Sequence, residues 1–322
     1  MKQTHMQSVI IALAGAVLSL TPTRLSAQRA TSGAELQALV NGLTVTARVL
    51  VVGMHPDDED SQLLAYLARG HQVQTAYLSV TRGESAGNFL GPASGTTLGA
   101  ARTQETLAAR RIDGAEQFFT RMYDFGYARS DSELFARWNR DSLVGDIVTV
   151  IRSFRPHVIV VNAPDSADDD VQHRALFALV TDARRAAAKG DRYRPLDFGD
   201  PWGATLFRRG AGDITMDADS LDPVLGETYA AIAERARAQY RTQGLLDLTK
   251  RPSPLLRLAE ILPPSGTDST RGADGVLRTT VYDSLRTGNF LAPADTSLSR
   301  LRAGAPPEVA RLIPPIAAHA DS

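Results

Sequence analysis

The chain has 322 residues, of which 43% are apolar and 22% charged, with a net charge of −1 and no cysteine. This is a globular composition. It excludes collagen-like, coiled-coil and wholly disordered chains, and it lacks the broad basic field of a nucleic-acid binder. Without cysteine there is no disulfide, iron–sulfur cluster, thiol nucleophile or cysteine lipid anchor, so any metal must be held by His, Asp or Glu.

In chain order, Lys2, the apolar run Val9 to Leu20 and the small residue Ala27 follow the order of a secretory signal over residues 1–27. Cleavage is expected after Ala27, with export to the periplasm or the extracellular space. The run is short of the roughly 20 residues needed to span a bilayer, so the mature chain is expected to carry no transmembrane segment. Ala47 to Met54 is a continuous apolar run, the mark of a strand buried on both faces. From Asp57 a helix is expected, with Leu63, Leu64 and Leu67 at helical spacing and Gly70 as its stop. Val73 to Val80 reads as a second strand, and Thr81 to Gly99 as a Gly-rich loop. Ala100 to Arg111 reads as a helix, Phe118 to Tyr123 as a third strand and Leu143 to Phe154 as a helix. His157 to Asn162 is a fourth strand, and a long helix is expected from Val171 to Lys189. A strand at Ala204 to Phe207 and a helix at Val224 to Arg241 complete the pattern. Nine of the 17 prolines fall in the last 78 residues. Residues 246–322 are therefore read as an extended, partly disordered tail, and residues 28–245 as one domain.

Buried strands alternating with helices predict an α/β fold, a mostly parallel sheet with helices on both faces. In such sheets the site lies at the carboxyl ends of the strands. That rule selects His55, Asp57 and Asp58 after the first strand, Thr81 to Glu84 after the second, Asp124 after the third and Asp165 to His173 after the fourth. It rejects His71 and His157, which lie where strands begin.

A His and an Asp three apart on a tight turn, joined by a second His at a helix start, can face one point. Two His and one Asp form a three-donor site with an open position, the usual arrangement for catalytic zinc, though iron or cobalt would also fit. Asp57, beside the ligands, could take a proton from water. The alternative is that Asp57 and Asp58 only cap the following helix.

The run Val52-Gly53-Met54-His55-Pro56-Asp57-Asp58-Glu59 resembles the hallmark of the LmbE-like, or PIG-L, family of N-acetylglucosaminyl deacetylases. The resemblance continues through Thr81-Arg82-Gly83-Glu84, Arg102 to Glu105, Ala108 to Gly126, and Arg155 to Val160 with His173 downstream. It covers about residues 46–245. It implies a Rossmann-like fold and zinc-dependent hydrolysis of an N-acetyl group from a small N-acyl sugar or glycoconjugate. By position, His55, Asp58 and His173 match the zinc ligands and Asp57 the general base. Arg102 and Asp124 match residues that hold the substrate, and Glu84 is a candidate for supporting the ligands.

One position departs from the pattern. Asp170 stands where the family places a His that stabilises the oxyanion or protonates the leaving amine, which makes Asp170 a candidate catalytic residue of altered chemistry. A weak or inactive relative that binds metal and carbohydrate is the alternative. Hydrolysis of an ester or a non-sugar amide is another. Tyr240 also stands where relatives often carry His. No G-x-G-x-x-G follows the first strand and no G-x-S-x-G elbow is present, which argues against nucleotide binding and a serine hydrolase.

Overall fold

A computed structural model describes residues 33–43, 45–85, 87–162, 170–244 and 253–262. Residues 1–27, read as a secretory signal with cleavage after Ala27, and most of the expected C-terminal tail lie outside the described residues. The chain divides into two compact units, residues 1–36 and 37–322. Helix α1 (Gly33–Gly42) begins in the first, and the sheet and all later helices belong to the second.

The sheet has six strands: β1 (Arg48–Gly53), β2 (Gln74–Ser79), β3 (Glu116–Phe119), β4 (Val158–Val161), β5 (Thr205–Asp217) and β8 (Leu255–Leu262). A separate two-stranded ribbon joins β6 (Leu221–Asp222) to β7 (Glu227–Thr228). The order in the main sheet is β3-β2-β1-β4-β5-β8. The first five strands are parallel, and β8 pairs antiparallel with β5. The fold is therefore the expected mostly parallel α/β sheet.

Side-chain alternation divides the core between the two faces. Leu50 and Val52 of β1 join Ile159 and Val161 of β4 on one face, while Val49, Val51, Val158 and Val160 point to the other. On the first face the sheet is covered by α5 (Arg140–Phe154) and α6 (Val171–Ala187), through residues such as Leu143, Ile147, Leu176 and Leu179. On the second, α2 (Ser61–Ala65) and α7 (Tyr229–Arg237) supply Leu63, Leu64, Ile232 and Ala233. Each fully buried Leu or Val of this kind contributes about 1.5–3 kcal/mol, so the two apolar layers fix the sheet.

Several expected boundaries move. Helix α3 (Gly95–Asp113) starts earlier than its apolar pattern, and β3 lies two residues before the expected Phe118 start. Helix α4 (Asp131–Arg137) was not foreseen. It is short and opens on Ser130, whose side chain accepts from Glu133 N at 3.2 Å. The domain boundary at 245 also fails, because β8 lies within the segment read as a tail. Leu256 and Leu258 of β8 are buried and close the free edge of β5.

Candidate metal centre

The order β2-β1-β4 puts the reversal of strand direction in the sequence order between β1 and β4. Parallel sheets open a crevice at such a switch point, beyond the carboxyl ends of the two strands. His55, Asp57 and Asp58 leave β1 at that edge, and His173 reaches it from the first turn of α6, which follows β4.

The turn after β1 is tightly held. Gly53 has no side chain, and a Cβ there would collide with the Tyr77 hydroxyl. The space lets Tyr77 donate to the His55 carbonyl at 2.5 Å, while Asn162 at the end of β4 donates its amide to the Asp58 carbonyl. Asp58 folds back so that its Oδ2 accepts from Met54 N at 3.0 Å and His55 N at 2.8 Å. The same oxygen lies 2.9 Å from His173 Nε2 and 3.5 Å from His55 Nδ1. One donor atom each from His55, Asp58 and His173 lies within 4.8 Å of the others, the one such group among the described residues. Two imidazoles and a carboxylate converging in a half-buried crevice fit a divalent metal of the zinc type.

The helix-capping alternative is answered by geometry. The cap of α2 is Asp60, which accepts from Leu63 N at 3.0 Å. Asp57 and Asp58 instead sit in a single turn of 3₁₀ helix, Pro56–Asp58.

Electrostatics follow from this crowding. Burial works against the charge of Asp58, but hydrogen bonds and charge from His173 and His55 outweigh it and hold the carboxyl well below the usual range. Burial likewise opposes charge on His55, yet the contact with Asp58, aided by Asp124 and Asp57, raises it to about 9. His173 is raised by Asp58 against the same opposing burial. Asp57 moves upward, first because it is buried and then because Asp58 is beside it. It takes no part in the three-donor group.

The remaining expected site residues lie near this group and are held by loop and helix-end partners. Arg102 is almost wholly buried and donates to Gly83 O at 2.5 Å, Gly87 O at 2.7 Å and Thr242 Oγ1 at 3.2 Å. Its guanidinium clamps the loop after β2 to the turn at Thr242. Asp124, also buried, accepts from Gly126 N at 2.8 Å and Ser85 N at 3.3 Å, so it shapes a turn. Glu84 accepts from Arg82 N and Asp124 N, and so holds loop backbone, not a metal ligand. Asp170 caps α6, accepting from Gln172 N at 2.8 Å, and its other oxygen lies 3.1 Å from His173 Nδ1. Its carboxylate thus caps the helix and faces the His173 ring. His157 accepts from Arg48 N on the far edge of the sheet, as its position at a strand start implied.

Glu59, next to Asp58, turns away from the crevice. It is bonded by Ser61 Oγ at 2.7 Å, by Tyr240 OH at 2.5 Å and by Arg110, which also binds Asp113 at 2.5 Å. Burial opposes the charge of Arg110, but Glu59 and Asp113 more than offset it and raise its pKa. Tyr240 is fully buried and completes a network behind the motif.

Gln172, Tyr77 and Asn162 are the contributors missed in the sequence. A tyrosine within a buried strand must find a hydrogen-bond partner, and Asn162 is the polar end of an apolar run at the carboxyl edge. Both were legible as signals.

Fold and site together define a parallel α/β domain with a candidate metal centre at its switch point. Residues 50–184 match the family model PIG-L, described as GlcNAc-PI de-N-acetylase. Over 175 residues the chain is 32% identical to the 1D-myo-inositol 2-acetamido-2-deoxy-alpha-D-glucopyranoside deacetylase of Rhodococcus jostii, covering 48% of this chain and 58% of that protein. The chain thus spans little more than half the length of this curated relative. Among solved structures, the N,N'-diacetylchitobiose deacetylase of Pyrococcus horikoshii aligns at 18% identity and a TM-score of 0.47, covering 66% of this chain and 84% of that one. The 4-carboxy-2-hydroxymuconate hydratase GalB of Pseudomonas putida aligns at the same identity and TM-score, covering 69% of this chain and 99% of that one.

Proposed function

We propose that this chain is an exported, zinc-dependent amidohydrolase that removes an N-acetyl group from a sugar amine or glycoconjugate. The observation that carries the reading is the convergence of His55, Asp58 and His173 at the switch point of a PIG-L domain, with Asp57 beside them. His55, Asp58 and His173 would hold the metal. When bound, a divalent ion polarises the acyl carbonyl and makes water acidic enough to lose a proton near neutral pH. Asp57 accepts a proton from the attacking water. The acyl carbon–nitrogen bond then breaks, and Asp57 returns the proton to the leaving nitrogen, so that an amide and water give acetate and a free amine. The commitment of Asp170 to its helix and to His173 favours slow turnover on simple N-acetyl sugars. The signal-like order of residues 1–27 supports export.

The test is amine release from N-acetylglucosamine conjugates, with metal content measured alongside. Asp57→Asn should keep one metal per chain and lose about 10²–10⁴ in kcat. Metal loss in that variant would make Asp57 a ligand, and a wild-type chain that neither binds metal nor releases amine would overturn the reading.

A further inference from the structure

The Gln172 side chain is buried between two groups whose chemistry fixes its orientation. Its Nε2 donates to the carbonyl of Gly126, which can only accept. The amide cannot be turned round without setting two oxygens against each other. Its Oε1 is therefore the atom that faces His55 Nε2, at 3.2 Å. An amide oxygen can only accept, so His55 must carry a hydrogen on Nε2 to satisfy it. The lone pair of a neutral His55 then lies on Nδ1, and Nδ1 is the nitrogen on the Asp58 side, 3.5 Å from Asp58 Oδ2.

His173 is arranged the other way round. Its Nε2 faces Asp58 Oδ2 at 2.9 Å, and its Nδ1 lies 3.1 Å from Asp170 Oδ2. That second approach is off the line of the N–H, so it acts as charge attraction and not as a hydrogen bond. A carboxylate there still favours a hydrogen on Nδ1 and leaves the lone pair on Nε2. The two imidazoles thus offer opposite nitrogens to one point. Each has its other nitrogen faced by an acceptor, and both acceptors stand in the opening residues of α6, which also carries His173.

We propose that Gln172 is a positioning residue for the metal centre. It locks His55 in the tautomer that presents Nδ1, so that the segment from Asp170 to His173 supplies one ligand and orients both. This rests on the metal-binding reading above and adds which atom of each ring is the ligand. Partners of this kind typically alter metal affinity by 10–100-fold when removed.

The experiment compares zinc affinity in the wild type, Gln172→Leu and Gln172→Glu by competition with a chelator. Ring nitrogens of the zinc-loaded chains are assigned by ¹H–¹⁵N correlation, and far-UV circular dichroism checks the fold. In the wild type, His55 should carry its hydrogen on Nε2 and coordinate through Nδ1, and His173 should show the reverse. Gln172→Leu should bind zinc about 10–100-fold more weakly. Gln172→Glu keeps an acceptor toward His55 and should recover most of that loss, a rescue that a purely packing role would not produce. A wild-type His55 coordinating through Nε2 would overturn the inference, as would equal affinities in the folded Leu and Glu variants. Failure of the wild type to bind zinc at all would instead strike the underlying metal reading.

Discussion

The motif after β1 sends neighbouring carboxylates into two different environments. Glu59 enters a closed network in which Arg110, Tyr240 and Ser61 take up its oxygens and Asp113 shares the arginine. Asp58 enters an open one, where two histidines press on a single oxygen. Both sets are built from ionisable groups in a protein interior. The closed set brings its own cation and is complete, so it holds the chain in place. The open set contains no Arg or Lys. Deprotonated His55 and His173 are neutral donors and Asp58 is an anion, so on the metal-binding reading the positive charge would come from a bound ion. Burial alone does not tell a structural network from a binding one. The presence of a fixed counter-ion does.

Three measurements would break or sharpen that distinction. The largest effect is expected at His173→Ala. It removes one of three donors and should abolish stoichiometric metal binding by elemental analysis, while full occupancy would erase the contrast. Next is Arg110→Ala in the closed network, which leaves Glu59 and Asp113 buried without their cation. Stability should fall by about 3–5 kcal/mol in denaturant unfolding, and a loss under about 1 kcal/mol would mean the network is not closed. The smallest effect is expected at Asp170→Ala, which removes a helix cap worth about 1 kcal/mol. Asp170→Asn keeps a capping oxygen and should restore most of that stability, so equal losses in the two would show that the cap is not what Asp170 supplies.

Much of the architecture was legible because it rests on periodicity. The runs ending at Gly53 and Asn162 are apolar on both faces, and only a sheet covered on both sides asks for that. His71 and His157 were rejected because they lie where strands begin, away from the carboxyl edge. The strand β8 was hidden by its borders. Pro252, Pro254, Pro263 and Pro264 read as a tail, yet they flank a segment whose alternate residues Leu256 and Leu258 are buried. Helix α4 was hidden by brevity, since seven residues give too little pattern.

The candidate ligands were legible from spacing, but not the duties of the polar residues around them. Arg102, Asp124 and Asp170 are the residue types that grip a substrate, and they are equally the types that satisfy backbone groups in loops and at helix ends. Spacing along the chain does not show which partner wins. Arg102 turned to Gly83 and Gly87, Asp124 to Gly126, and Asp170 to Gln172. Gln172 escaped notice for the opposite reason. An amide carries no charge, and its importance lies in the direction of one hydrogen.

The antiparallel strand at the end of the sheet has a consequence of another kind. An open row of backbone donors and acceptors along a strand of 13 residues, such as β5, would invite pairing with another copy of the chain. The eight residues of β8 occupy that row and carry Arg257 outward at the new boundary. At the opposite margin, β3 offers four residues. The closure of the β5 edge thus lies in a segment that supplies no residue to the three-donor group.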